Sequence, residues 1–128
     1  MIKDLEKRKQ VLKLNAKDLT FEIIPLTTET VPYEILRDGV EGPIERAQYS
    51  QTLANMRINI WVDEEYRLHD TIEPSIYING LNDFIGGNVM FDYDGLDGET
   101  YGLTPGEIEI IKEELGDKIN IRFTITTT

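Results

Sequence analysis

Apolar residues recur with helical spacing at the start of the chain and with a spacing of two soon afterwards. Between Ile2 and Leu14 helix formers dominate, Ile2, Leu5 and Leu12 fall along one side, and Asp4 and Arg8 stand four apart as an opposite-charge pair. The spacing predicts a short amphipathic helix whose narrow apolar stripe suits a surface, including that of a neighbouring molecule, better than a core. From Leu19 the pattern alternates: Leu19, Phe21 and Ile23 on one side, Thr20 and Glu22 on the other. After the polar turn Thr27 to Thr30, Val31 to Leu36 reads as extended up to Asp38-Gly39, and Pro25 and Pro32 place these strands at a sheet edge or at strand ends. Residues 41–50 have no period, and Gly42-Pro43 marks a loop.

The strongest alternation runs from Ala54 to Asp63. Ala54, Met56, Ile58, Ile60 and Val62 share one face, and Asn55, Arg57, Asn59, Trp61 and Asp63 share the other. Further strands are expected at Ser75 to Ile78 and Asn88 to Tyr93, with Asn79-Gly80 as a hairpin turn and Asp94-Gly95 and Asp97-Gly98 ending the second. Thr104-Pro105-Gly106-Glu107 is a capping box, Ile108, Ile111 and Leu115 give a core-facing stripe, and Gly116 stops that helix. Ile119, Ile121, Phe123 and Ile125 alternate with polar residues in a closing strand. The expected fold is α+β: a single β-rich domain with a mostly antiparallel sheet of about six strands, an N-terminal helix and one helix near residues 105–115. In that reading residues 1–18 form a basic helical arm and residues 19–128 the domain.

Composition narrows the chemistry. The 128 residues suit one domain, and an apolar fraction of 40% supports a packed core despite the charge. The absence of cysteine removes disulfides, thiolate metal sites and cysteine nucleophiles. The first ten residues are too charged for a signal peptide and no apolar run is long enough to span a bilayer, which predicts a soluble protein that is not exported. The net charge is −11, unevenly placed: residues 1–20 hold six bases and three acids, so the other 108 residues carry −14, and no Lys or Arg occurs from Leu68 to Ile111. Such a body repels nucleic acid and anionic membranes, so neither is an expected partner, whereas docking of the basic arm on an acidic surface of another copy is.

Catalytic signals are sparse. His69-Asp70 with Ser50 or Ser75 is too common a combination to define a triad, and no nucleophile elbow, phosphate loop or metalloprotease motif occurs. Asp92, Asp94, Asp97 and Glu99 are the best calcium candidates, but they do not match a helix–loop–helix calcium loop, because Asp97 and Leu103 stand where it needs glycine and glutamate. Asp-Gly turns on a solvated strand face are the preferred account of them. The expected interaction residues are Lys7, Arg8 and Lys9, docking on Asp63, Glu64 and Glu65 or on the 92–99 segment, with Trp61 beside Arg57 as an apolar anchor if it is not covered by the fold. No cofactor is expected.

The order of basic helix, Val31-Pro32-Tyr33-Glu34-Ile35-Leu36, loop, Ile58-Asn59-Ile60-Trp61-Val62-Asp63 and closing strand resembles small tail-terminator or head–tail joining proteins of tailed phages over about half the chain. After Asp63 that family would place a long helix, where this chain has Pro74 and strand-like residues. The resemblance implies a ring-forming protein without catalytic residues. The leading expectation is thus a non-enzymatic assembly protein that makes homo-oligomers or contacts protein partners. An acidic inhibitor or immunity-type protein filling the basic groove of an enzyme or nucleic-acid-binding partner is the alternative, and a calcium-dependent module the third.

Overall fold

The computed structural model describes residues 2–48, 50–65, 71–72, 74–78, 83–116 and 125–126. After a single 3₁₀ turn at Leu5–Lys7 come β1 (Gln10–Asn15), β2 (Thr20–Pro25), α1 (Tyr33–Val40), β3 (Ile44–Ala47), α2 (Gln51–Asn55) and β4 (Ile58–Asp63). They are followed by β5 (Thr71–Ile72), β6 (Pro74–Ile78), β7 (Asp83–Gly86), β8 (Val89–Asp94), β9 (Thr100–Tyr101), α3 (Pro105–Gly116) and β10 (Ile125–Thr126). Six strands form one antiparallel sheet in the order β2-β1-β8-β4-β3, with β9 also paired to β8. Two small antiparallel pairs, β6 with β7 and β5 with β10, complete the described strands. No helix among the described residues is long and apolar enough to cross a membrane.

The expected α+β class and antiparallel sheet are what the structure has, but three elements differ from the sequence reading. The N-terminal helix is absent: β1 runs through its second half and lies inside the sheet between β2 and β8, so residues 2–18 are not an arm apart from the domain. Val11 packs on one face of the sheet and Leu12 and Leu14 on the other, all three buried. A strand covered on both faces has apolar residues at adjacent positions, so its alternation disappears and helix-forming composition misleads. Pro32 is the residue just before α1 rather than part of a strand, and Leu36, Gly39 and Val40 are the buried side of that helix. Gly39 lies inside it because a Cβ there would collide with Met90 Sδ. Ala54 belongs to α2, capped by Ser50 Oγ accepting from Leu53 N at 3.2 Å, and β4 begins only at Ile58.

Both faces of the sheet are covered. On one, Leu12, Leu14, Ile58, Ile60, Val62, Val89, Phe91 and Tyr93 pack with Leu53 of α2 and Ile108, Ile111 and Leu115 of α3, which includes the apolar stripe expected for α3. On the other, Val11 and Met90 pack with Val31 and with Leu36 and Val40 of α1. The Asn79-Gly80 turn and the Ile119 to Phe123 part of the closing strand lie outside the described residues, although Ile78 does pair with Asp83 and Ile125 with Ile72.

The capping box forms as expected, with Thr104 N donating to Glu107 Oε1 at 3.0 Å and Glu107 N donating to Thr104 Oγ1 at 3.2 Å. Glu107 also receives Arg8 in a two-pronged ion pair, Nη1 to Oε1 at 2.6 Å and Nη2 to Oε2 at 3.1 Å. Arg8 is 3% exposed, and its remaining donors reach Lys3 O and Gly102 O. The guanidinium stacks 3.5 Å from the centroid of the Tyr93 ring. Gly102 lets the chain pass close by, since a Cβ would stand 2.6 Å from Arg8 O and 2.8 Å from Gln10 O. Glu107→Ala strands a buried cation and is expected to cost about 3–5 kcal/mol, whereas Arg8→Met combined with Glu107→Leu should cost clearly less than the two single changes together; denaturant midpoints of the four proteins measure both.

Candidate functional site

Next to α1, the face of the sheet that carries Met90 continues as a polar patch. Asn59 of β4 and Asp92 of β8 are direct cross-strand partners, as are Trp61 and Met90, and Arg46 of β3 pairs with Trp61. Their side chains therefore meet on one face. Asn59 Nδ2 and Trp61 Nε1 both donate to Asp92 Oδ1, at 2.9 and 2.8 Å, and Arg46 Nη1 donates to Asn59 Oδ1 at 3.2 Å and Asp94 Oδ2 at 3.3 Å.

Asp92 is wholly buried, and its Oδ2 has no hydrogen bond of ordinary geometry. Burial drives its pKa from 3.8 up to about 6, against the lowering effect of Trp61, Asn59 and Thr100, with a further rise from the neighbouring Asp94 charge. Such a carboxyl is the kind of group that marks functional sites, but it is sealed beneath Trp61 rather than presented to a ligand.

Beside the patch, where β3 ends and leaves the start of β4 uncovered, lies a cleft of about 390 Å³ lined by Arg46, Gln48, Ser50, Arg57, Asn59 and Asp94 among others. Its polar groups are largely committed to the fold. Arg57 has φ +62° just past the end of α2, a left-handed position common at helix ends, and its Nε and Nη2 donate to Asp94 O at 3.1 and 2.9 Å. Ser50 Oγ caps α2 and donates to Glu114 Oε1 at 3.0 Å.

The residues expected to form an interaction face are scattered. Lys7, Lys9, Glu64 and Glu65 are exposed, Arg57 and Trp61 are half-buried, and Arg8 and Asp63 are buried. Arg8 cannot dock on a second molecule because Glu107 of its own chain holds it, so the basic docking face is reduced to two lysines. Trp61 packs beside α1 with its indole N–H spent on Asp92, and Asp63 accepts from Glu65 N at 2.8 Å. The calcium candidates do not converge. Asp94 Oδ1 and Asp97 Oδ1 close turns with Leu96 N and Glu99 N, and Asp97 Oδ2 accepts from Tyr101 OH at 2.6 Å. That last bond holds Asp97 below its ordinary pKa and pushes Tyr101 up to about 12. Among the described residues no three His, Cys, Asp or Glu side chains are grouped to hold a metal. His69 and Asp70 lie outside the described residues, and so does the side chain of Ser75.

The feature that site-by-site sequence reading passed over is the outer edge of β2. This strand pairs only with β1 among the described residues, is exposed along most of its length, and leaves Ile23 53% exposed. Leu26 N donates to Lys9 O, and the register Val11↔Ile24, Lys13↔Glu22 then alternates so that the N–H groups of Phe21 and Ile23 point away from β1, together with the C=O groups of Phe21, Ile23 and Pro25. Pro25 stands where its missing N–H would also have pointed outward, which is the edge placement its sequence position predicts.

Because the folded chain binds the Asp92 proton more tightly than the unfolded chain does, this group stabilises the fold fully below pH 3.8 and loses that contribution as pH rises to about 6. Asp92→Asn keeps an acceptor for Trp61 and Asn59 and is expected to be more stable than the parent at pH 7 by about 2–3 kcal/mol, the difference vanishing toward pH 4; urea unfolding of both proteins across that range measures it. No family model, no curated protein and no solved structure matches the chain.

Proposed function

We propose that this chain is a non-enzymatic structural protein that works by assembling with protein partners, the role implied by its resemblance to phage tail and head–tail connector proteins. The observation that carries the reading is the open edge of β2: six residues with a single charge, Glu22, whose outward backbone groups have no partner among the described residues. A sheet edge of this kind accepts an added strand, with main-chain hydrogen bonds giving affinity and alternate side chains giving selectivity. The polar patch supports the same reading, because its buried carboxyl and its tryptophan hold each other instead of lining the neighbouring cleft. The edge replaces the Lys7 to Lys9 docking face expected from charge alone, since Arg8 serves the interior.

A second reading, an acidic protein that fills the basic groove of a partner, is favoured by Glu34 and Asp38 of α1 and Glu41 just past its end, all exposed, with Arg37 the only base in that helix. Neutralising the three acids would then weaken binding to polylysine at low salt far more than neutralising Glu109 and Glu113 does, and equal effects would remove this reading.

The assembly reading is tested by panning a displayed library of random ten-residue peptides against the protein. Extended, apolar peptides are expected to be enriched, and Ile23→Pro, which deletes an outward N–H without touching the β1 ladder, is expected to abolish their binding. Enriched peptides that bind the variant equally well would place the contact elsewhere and overturn the edge as the assembly surface.

A further inference from the structure

We propose that the partner of the β2 edge is a second copy of this chain, paired antiparallel to it about a two-fold axis that passes through Ile23. The inference rests on the reading of β2 as an assembly edge and adds the occupant and the register. An isologous contact requires a self-complementary strand, and the outward groups of β2 restrict how two copies can meet. Only odd-numbered residues present outward backbone groups, so the two-fold axis must pass through a residue, and the strand overlaps most fully when that residue is one of its two middle ones, Glu22 or Ile23. Centring the axis on Glu22 would set Glu22 against Glu22 of the other copy, a repulsive cross-strand pair. Centring it on Ile23 sets Glu22 opposite Ile24 of the other copy instead.

The Ile23-centred register also satisfies the backbone. Ile23 exchanges two N–H···O=C bonds with its symmetry mate, and Phe21 N–H of each copy donates to Pro25 C=O of the other. Pro25 is needed only as an acceptor there, the one role it can fill. On the face of β2 that lies over Leu12 and Leu14, Phe21 meets Pro25 and Ile23 meets Ile23, so the exposed isoleucine gains an apolar neighbour. Contact along two strands buries less than the roughly 1,200 Å² of a stable interface, so the dimer is expected to be concentration-dependent.

The chain has no cysteine, which makes single-cysteine variants clean reporters. In this register the Cα atoms at position 23 are about 5.5 Å apart across the axis, within disulfide reach, whereas those at position 22 are roughly 8 Å apart, beyond it. Sedimentation is expected to show the parent protein moving from monomer to dimer between about 1 and 500 μM, with Ile23→Pro and the fold-preserving Ile23→Lys remaining monomeric. With oxidised glutathione as oxidant, Ile23→Cys should form a disulfide dimer at least about tenfold faster than Glu22→Cys. A parent protein that stays monomeric throughout, or Glu22→Cys crosslinking as fast as Ile23→Cys, would overturn the proposal. A monomer that still binds edge-directed peptides would refute only the second copy as occupant, while loss of peptide binding as well would refute the edge itself.

Discussion

Arg8 and Glu107 lie at opposite ends of the sequence and close the molecule around themselves. The arginine ties the 3₁₀ turn through Lys3 O, the approach to α3 through Gly102 O and the first turn of α3 through Glu107, while its face covers Tyr93 of the central strand β8. Glu107 simultaneously stands at the third helical position of the capping box, so the carboxylate that accepts the Thr104 N–H at the helix start is the one that neutralises the buried cation. Two costs that would otherwise fall separately, a desolvated guanidinium and an uncapped helix start, are offset by a single side chain. α3 is thereby fixed over the sheet, and the apolar face made by Ile108, Ile111 and Leu115 follows from that placement.

The same pair changes the meaning of the charge distribution. A basic leading segment on an acidic body looks in sequence like an arm meant for another molecule, but its most consequential cation is satisfied within the chain. Lys13 pairs across the ladder with Glu22, which draws a second base of the segment into the sheet. What remains at the surface is a strongly acidic molecule whose copies repel at long range, so any self-contact depends on short-range backbone pairing and apolar contact rather than on opposite charges.

Legibility in the sequence tracked how far neighbouring residues alone decide the outcome. The capping box and the α3 stripe are local and were readable, as was the alternation of Ile58, Ile60 and Val62, because β4 is buried apolar on one side and polar on the other. Pro25 correctly marked an edge. The first strand was not readable, because its two faces are buried against elements distant in sequence, α1 on one and α3 on the other, which no local period reveals. Asp38-Gly39 resembled a turn signal, although the glycine is there to let Met90 approach α1. The polar patch was half legible: Asn59 and Trp61 were placed on one face of β4, but pairing with Asp92 needed the register of β4 on β8. Arg8 misled for the same reason, since its partner is 99 residues away.

The two ends of the sheet argue for keeping β2 open. β3 has the features that usually blunt an edge: four residues only, the charged side chains Glu45 and Arg46 at its centre, and Pro43 just before it. β2 is longer, exposes an isoleucine and holds a single acid, so it lacks the charge that usually guards an edge. Its one protective device, Pro25, does not block pairing but limits it, because the ladder must lose a donor at that residue. A strand that is open yet bounded, on a molecule whose net charge opposes indiscriminate contact, favours one registered pairing over open-ended aggregation. Among the described residues the two edges thus differ in the way the proposed pairing through β2 requires.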